Sequence, residues 1–422
     1  MHSPLRALWH TELLYRARQQ LALRDEAIVQ TQIAISEIAA PTGEEHARGA
    51  WIARRFQQLG LHDVRTDDAG NVIGRRQGAI GGPPVVICAH LDTVFPRETR
   101  VSVQRCGTRL RGPGIGDNGR GLAAMLALAE VIDGQQLRTA SPVEFVATTG
   151  EEGAGDLRGA KRAFAAADAK AAIALDGAGD ERIVHRALGS RRYRLTYRGA
   201  GGHSWTAYGV PNAVHAAAIA AAKLARLPLP REPRTTLCVG RIGGGISVNT
   251  IPDEAWLEVD IRCTSTYVLD LLEREVGEVS RVACAEENGR AVRGAVPLVA
   301  TVDRIGDRPS GETAAGHPLV VMAMEATRLV GREPELATAS TDANVPISLG
   351  IPAIAIGAGG RGGDAHTPAE WFDNTDGCLG LARALGVVVG AAGLGEWVSG
   401  SVGQWVSGSV GQKKLEGRES RK

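Results

Sequence analysis

Pro84-Val85-Val86-Ile87-Cys88-Ala89 is an unbroken apolar run that ends at His90, with Leu91 and Asp92 just beyond it. The run does not alternate between apolar and polar residues. A strand with one face in water would alternate, whereas one covered on both faces by helices need not. Val143 to Thr148 and Ala171 to Leu175 read in the same way, and so does Ala353 to Ile356 much later. Between the first two, Gly121 to Ile132 has the texture of a helix. Upstream, one helix is expected over Ala27 to Ala39, and a second reaches Leu59 with Thr42 as its cap. Strands alternating with helices predict an α/β fold, a mixed and largely parallel sheet sandwiched by helices.

The texture changes near Gly189. Tyr193, Leu195 and Tyr197 alternate with polar residues, mostly Arg, as in a half-exposed strand. A helix is expected over Asn212 to Leu227, between Pro211 and Pro228. Strands follow over Thr235 to Ile242 and Ala255 to Cys263, then a helix over Val268 to Ser280 and a strand over Val296 to Val302. The order β-α-β-β-α-β is that of a ferredoxin-like unit. Leu319 to Val330 then reads as a helix. The expected organisation is one large domain made of residues 1–188 and 303–390, with residues 189–302 inserted as an α+β lid or dimerisation domain. Residues 391–422 are expected to be a flexible tail, in which Trp397-Val398-Ser399-Gly400-Ser401-Val402-Gly403-Gln404 recurs at 405–412.

A chain of 422 residues exceeds one compact core, which agrees with this division. Lys and Arg number 48 against 47 Asp and Glu, for a net charge of +1, so there is no electrostatic footprint for nucleic acid or an anionic membrane. No run of roughly 18 apolar residues is present, and residues 1–16 lack the pattern of a signal peptide. The six cysteines are scattered without CxxC pairs, Cys88 among them inside an apolar run. They are expected to be reduced, which makes the cytoplasm the expected compartment.

The acidic and histidine residues fall in a pattern. His90 and Asp92 follow the strand ending at Ala89, Glu151 and Glu152 follow that ending at Thr148, and Asp176 follows that ending at Leu175. Asp117 lies in the loop before the Gly121 helix, and His366 lies beyond the strand ending at Ile356. Ligands of open α/β sheets bind outside the carboxyl ends of the strands, so these residues are candidates for one site. Mixed imidazole and carboxylate ligands without thiolate suit zinc, manganese or cobalt. Two ions sharing one carboxylate would activate a water between them, and a neighbouring carboxylate free of metal would shuttle its proton. Of the adjacent pair Glu151 and Glu152, one can ligate while the other faces the substrate.

His90-Leu91-Asp92-Thr93-Val94, Gly114-Ile115-Gly116-Asp117-Asn118, Thr149-Gly150-Glu151-Glu152-Gly153, Gly202-His203-Ser204 and Asp364-Ala365-His366-Thr367 occur in that order, with Asp176 between the third and fourth. As an ordered set they resemble the superfamily of peptidase T, carboxypeptidase G and the aminoacylases, dinuclear-zinc hydrolases, over about Ile28 to Leu385. The resemblance implies that His90, Asp117 and Asp176 hold one divalent ion, and that Asp117, Glu152 and His366 hold the other. Zinc is the expected metal, with cobalt or manganese as alternatives. It further implies that Glu151 is the general base, that Asp92 orients His90, and that His203 steadies the oxyanion in a neighbouring subunit of a lid-mediated homodimer. Asn249 and Arg262 match substrate-binding places in the lid, Arg262 being suited to a carboxylate.

The run Asp117-Asn118-Gly119-Arg120 departs from members that carry Lys two residues after the Asp. Ser340-Thr341-Asp342-Ala343-Asn344 resembles a substrate-side loop of the peptidase T branch, and Asp176 stands where carboxypeptidases and acylases of the family tend to carry Glu. The implied activity is therefore removal of a terminal residue from small peptides. The rivals are an N-acyl amino acid deacylase or carboxypeptidase on the same metals, and a catalytically silent metal- or peptide-binding protein. Gly114-x-Gly116-x-x-Gly119 matches a dinucleotide fingerprint only formally, because no apolar strand precedes it and Asp117 would repel a pyrophosphate. His185, His215 and His317 lack such company and read as structural.

Overall fold

The computed structural model describes residues 4–165 and 168–394. The duplicated segment at 397–412 lies outside the described residues. At the centre, Val143–Thr148, Val85–His90, Ala171–Leu175 and Ala353–Ile356 lie side by side and parallel. Val72–Arg76 and His62–Thr66 extend this sheet antiparallel on one side. Arg182–Ala187, flanked by Gly311–Glu312 and Glu335–Ala339, closes the other. The strands are covered on both faces. Val85, Ile87 and Ala89 pack into the larger core with the helices Gly119–Gly134 and Gly377–Ala392, while Val86 and Cys88 pack the other way against Phe164, Val345 and Ile347. The uninterrupted apolar run thus follows from burial on both sides, worth about 1.5–3 kcal/mol for each large side chain removed from water.

Residues Gly189–Arg198, Thr236–Gly244, Glu254–Cys263 and Val299–Arg308 form a separate, wholly antiparallel sheet. From edge to edge the order is Thr236–Gly244, Glu254–Cys263, Gly189–Arg198, Val299–Arg308. Helices Ala213–Leu224 and Thr266–Asn288 pack against Tyr193, Leu195, Tyr197, Leu257 and Ile261. Glu254–Cys263 alternates strictly between half-buried and buried positions, which leaves Glu254, Trp256, Glu258, Asp260 and Arg262 on the open face. This is the ferredoxin-like connectivity expected from the element order.

Some expected boundaries are corrected. The last strand of this sheet begins at Val299, not Val296, and runs to Arg308, so the position 302 expected as the lid boundary falls inside a strand. Its apolar residues thin out after Val302 because it is an exposed edge, yet backbone pairing continues to Arg308 opposite Ser190. The helix expected to stop at Ser280 continues to Asn288, because Ala283, Cys284 and Glu287 extend its buried face. Thr42 caps no helix; the helix starts at His46, and the Thr42 hydroxyl donates instead to Asp92. The chain enters the lid through Leu188 and leaves it through Pro309. The Asn344 amide donates to both carbonyls, at 3.0 and 2.9 Å, and holds the two crossings together.

Phe145 is fully buried in the central sheet, with its ring 6.4 Å from that of Phe56. Phe145→Ala is expected to cost about 3–5 kcal/mol, read as a lower urea midpoint at unchanged slope. Leu23→Ser, at a position 77% exposed, should stay within about 0.5 kcal/mol of the parent.

Candidate metal centre

The parallel strands end on one edge of the sheet, and their side chains meet there. His90 is the last residue of Val85–His90, Glu151 and Glu152 follow Val143–Thr148, and Asp176 follows Ala171–Leu175. Asp117 comes from the loop that starts helix Gly119–Gly134. Asn118 fixes that helix start: its side-chain oxygen accepts from the amides of Gly121 and Gly177, and its amide donates to the Leu175 carbonyl. His366 arrives from the opposite side with φ +65°, in the loop between strands Arg361–Gly363 and Trp371–Asp373.

Asp117 is the meeting point. Its Oδ1 lies 2.9 Å from His90 Nε2 and its Oδ2 lies 3.2 Å from His366 Nε2. His366 Nε2 is also 2.9 Å from Glu152 Oε1, and His90 Nε2 is 4.0 Å from Asp176 Oδ1. The ligand atoms of His90, Asp117 and Glu152 all lie within 4.8 Å of one another. Asp92 sits beneath this group, fully buried. Its carboxylate accepts from the amides of Glu151 and Glu152 at 3.0 and 2.9 Å, while His90 Nδ1 is 3.0 Å from its main-chain oxygen and 3.6 Å from Oδ1. Asp92 therefore acts on the turn of the two glutamates as well as on the histidine ring.

Glu151 stands apart from the cluster. Its carboxylate is 3.3 Å from Arg308 Nη1, and Arg308 Nη2 donates to its main-chain oxygen. Of the two adjacent glutamates, Glu152 is bonded to His366 and Glu151 to Arg308, and both line a cavity of about 600 Å³. This cavity lies between the cluster and the open face of the lid sheet, which contributes Ser190, Arg192, Arg262 and Arg308. Arg192 and Arg262 both lean on Asp260, through Nε at 3.0 and 2.7 Å, and Arg192 also reaches the Gly153 carbonyl.

Crowded charges move the protonation equilibria. Burial, reinforced by the Asp117 charge, pushes Asp176 up to about 7 and raises Glu152 as well. Burial alone would raise Asp117 too, but the hydrogen bonds and positive charge of His366 and His90 override it and hold it low. The Asp117 hydrogen bond lifts His366 to about 9. Burial would lower His90, but the carboxylates of Asp117 and Asp92 win and raise it. Burial drives Glu151 well up, with Arg308 pulling the other way. A donor set of two imidazoles and three carboxylates, whose central carboxylate offers one oxygen to each imidazole, fits a pair of divalent cations sharing Asp117.

His203 and Asn249 are not brought to this cavity within the chain. His203 is exposed on a short ribbon, Gly202–His203 paired with Thr250–Ile251, where its Nδ1 accepts from the Trp205 amide. Asn249, also exposed, accepts from Ser247. Trp205, Tyr208, Ile246 and Val248 stand exposed in the same region. His185 lies away from the cluster, and its Nδ1 donates to the Thr313 carbonyl at 2.8 Å.

Sequence reading passed over four residues that shape the site. Arg308 had no motif to mark it. Arg192 and Asp260 were hidden in the alternation of the lid strands. Glu370 falls four residues after His366 in His-Thr-Pro-Ala-Glu, and that spacing was its one signal. Asp342, in the Ser340–Asn344 segment, is buried and accepts from the Thr148 hydroxyl. Burial raises it.

An α/β sheet with a histidine–carboxylate cluster at its strand ends, facing an inserted ferredoxin-like unit across a cavity, is the architecture of a metallohydrolase. Residues 86–389 match Peptidase family M20/M25/M40, and the chain belongs to that family, which is metal-dependent. The fold is shared with a tripeptidase from Staphylococcus aureus (TM-score 0.72, 24% identity, 86% of this chain and 98% of that one). It is shared also with aminopeptidase PepT from Bacillus cereus (TM-score 0.69, 24% identity, 87% and 99%). Carboxypeptidase G2 of a Pseudomonas strain is 24% identical over 252 residues, 56% of this chain and 60% of that protein. The chain thus spans less than two thirds of the length of this curated relative. Among the described residues no helix is long and apolar enough to cross a membrane.

In metal-free protein, Asp176 at about 7 lies above its unfolded value of about 3.9. Between these pH values the folded state binds a proton that the unfolded chain has released, so stability falls as pH rises. The His366 contribution is complete below about 6.5 and is lost as pH climbs through about 9. Asp117 acts with the opposite sign, but only below about pH 4. Urea unfolding of chelated protein should therefore show declining stability from about pH 5 to about pH 9. Asp176→Asn should flatten the part below about pH 7, and an unchanged slope would contradict this electrostatic picture.

Proposed function

We propose that this protein is a metal-dependent exopeptidase that removes a terminal residue from small peptides, with Glu151 as its general base. The observation that carries the proposal is the split between adjacent glutamates, both of which line the cavity: Glu152 bonds to His366 beside Asp117, while Glu151 bonds to Arg308. His90, Asp117 and Asp176 are assigned to one ion and Asp117, Glu152 and His366 to the other, most simply zinc. Bound there, the ions would supply Lewis-acid polarisation of the scissile carbonyl and an acidified water. Glu151 takes the proton from the attacking water and delivers it to the leaving amine. Arg308 contacts the Glu151 carboxylate, and its charge opposes, without cancelling, the rise caused by burial.

On the lid side, Arg262 and Arg192 share Asp260, and their unshared guanidinium nitrogens serve a substrate carboxylate. His203 and Asn249 are assigned to the site of a second copy. Their exposed ribbon, rimmed by Trp205, Tyr208, Ile246 and Val248, fits a homodimer formed through the lid. The near-zero net charge and scattered free cysteines support a small-molecule enzyme of the cytoplasm. Asp176 and the Ser340–Asn344 segment favour aminopeptidase or dipeptidase action. Carboxypeptidase G2 among the relatives keeps carboxypeptidase or deacylase action as the rival.

Turnover of Ala- and Leu-tripeptides, dipeptides and N-acetyl amino acids on metal-loaded protein tests the reading. Free-amine peptides are expected to be preferred, and cleavage of the N-acyl compounds alone would replace the peptidase with a deacylase. Glu151→Gln is expected to lower kcat by about 10²–10⁴-fold with metal content unchanged. Retained turnover in that variant would remove Glu151 from the mechanism.

A further inference from the structure

The two loops that carry Asp117 and His366 are brought together by a small four-stranded sheet, in which Arg109–Arg111 pairs with Trp371–Asp373. Glu370 is the residue before this second strand. Only 2% exposed, it lies under the Gly114–Asp117 turn. Its Oε2 accepts from the Gly114 amide at 2.9 Å, and its Oε1 accepts from the amides of Gly116 and Asp117, both at 2.8 Å. Its own carbonyl accepts from the Gly112 amide at 3.0 Å, and its amide donates to Thr367 at 3.1 Å. One side chain thus fastens the loop of one ligand to the loop of another more than two hundred positions away.

The early part of the turn has other anchors. Gly114 accepts from the Gly119 amide, Ile115 donates to Gly112, and the Gln32 side chain donates to the Ile115 carbonyl. Gly114 must be glycine, having φ +70° and a would-be Cβ only 2.6 Å from Thr93 Cγ2. Among the described residues, the hydrogen bonds of the Gly116 and Asp117 amides both go to Glu370 Oε1. Loss of Glu370 would leave Gly114 and Ile115 in place and release the end that carries Asp117. A carboxylate is required because three converging N–H donors need charge-assisted acceptors on both oxygens.

We propose that Glu370 is a positioning residue for the metal centre: by holding the amides of Gly114, Gly116 and Asp117 it aims the Asp117 carboxylate so that one oxygen meets each histidine. This rests on the assignment of Asp117 as the shared ligand. Glutamine at 370 keeps the shape but must turn an NH₂ toward one set of donors, and alanine removes all three bonds.

The test is titration of metal-free protein with Zn²⁺ and Co²⁺, together with thermal unfolding of the same metal-free samples. Wild type is expected to bind two equivalents. Glu370→Ala should weaken binding by about 10–100-fold, and Glu370→Gln should fall between, with the metal-free Tm of the Gln variant close to wild type. The visible absorption of the Co²⁺-loaded Gln variant should also shift, which a fault confined to folding would not produce. If Glu370→Ala does not fold, Glu370→Gln alone carries the test. Wild-type affinity together with a wild-type cobalt spectrum in Glu370→Gln would overturn the proposal. Failure of the wild type to bind two equivalents would overturn the shared-ligand assignment itself.

Discussion

Asp117 faces His90 through one oxygen and His366 through the other, and much of the surrounding structure serves to keep that one carboxylate in place. Asp117, Glu152 and Asp176 crowd one buried volume, where like charges repel and desolvation disfavours ionisation. Such a cluster persists only if its carriers are rigid. The chain meets this requirement mainly with backbone amides and carbonyls: Asp92 under the Glu151–Glu152 turn, Glu370 under the Asp117 turn, and Asn118 between the helix start and the Leu175 strand end. Three of the five converging segments leave adjacent parallel strands, so the sheet sets their spacing before any side-chain contact forms.

The lid solves a different problem. Its sheet is covered by helices on one face and is open on the other, and the open face carries paired charges instead of apolar surface. Arg194 and Arg241 share Glu258 while stacking on Trp256, and Arg192 and Arg262 share Asp260. The part of this face beside the cavity therefore presents guanidinium groups opposite the acidic cluster, so the cavity is basic on one wall and acidic on the other. Arg308 joins the two, leaving the last lid strand to reach Glu151. Asn344 bonds to both chain crossings and limits how the lid can sit. The segment read as a substrate-side loop thus also ties the two crossings together.

Much of the fold was legible because burial leaves a one-dimensional trace. Runs buried on both faces lose alternation, as at Val85 to Ala89, and half-buried strands keep it, as at Tyr193, Leu195 and Tyr197. The site was legible for the same reason: strand ends are visible, and polar residues at those ends stand out. Errors came where the trace fades. The edge strand Val299–Arg308 continues by backbone pairing after its apolar residues stop, and Thr42 looked like a helix cap because its bond to Asp92 spans fifty positions.

By itself, the sequence determined the α/β and ferredoxin-like connectivities and which acidic and histidine residues stand at strand ends. These depend on periodicity and order along the chain, which local physics reads directly. Only the tertiary structure decided which of the two glutamates faces the histidines, that Arg308 reaches Glu151, and that Glu370 grips three amides of a distant turn. It also decided that His203 and Asn249 lie away from the cavity of their own chain. Those are distances between segments far apart in sequence, set by sheet register and by hydrogen bonds to main-chain atoms, and main-chain atoms are the same in every residue.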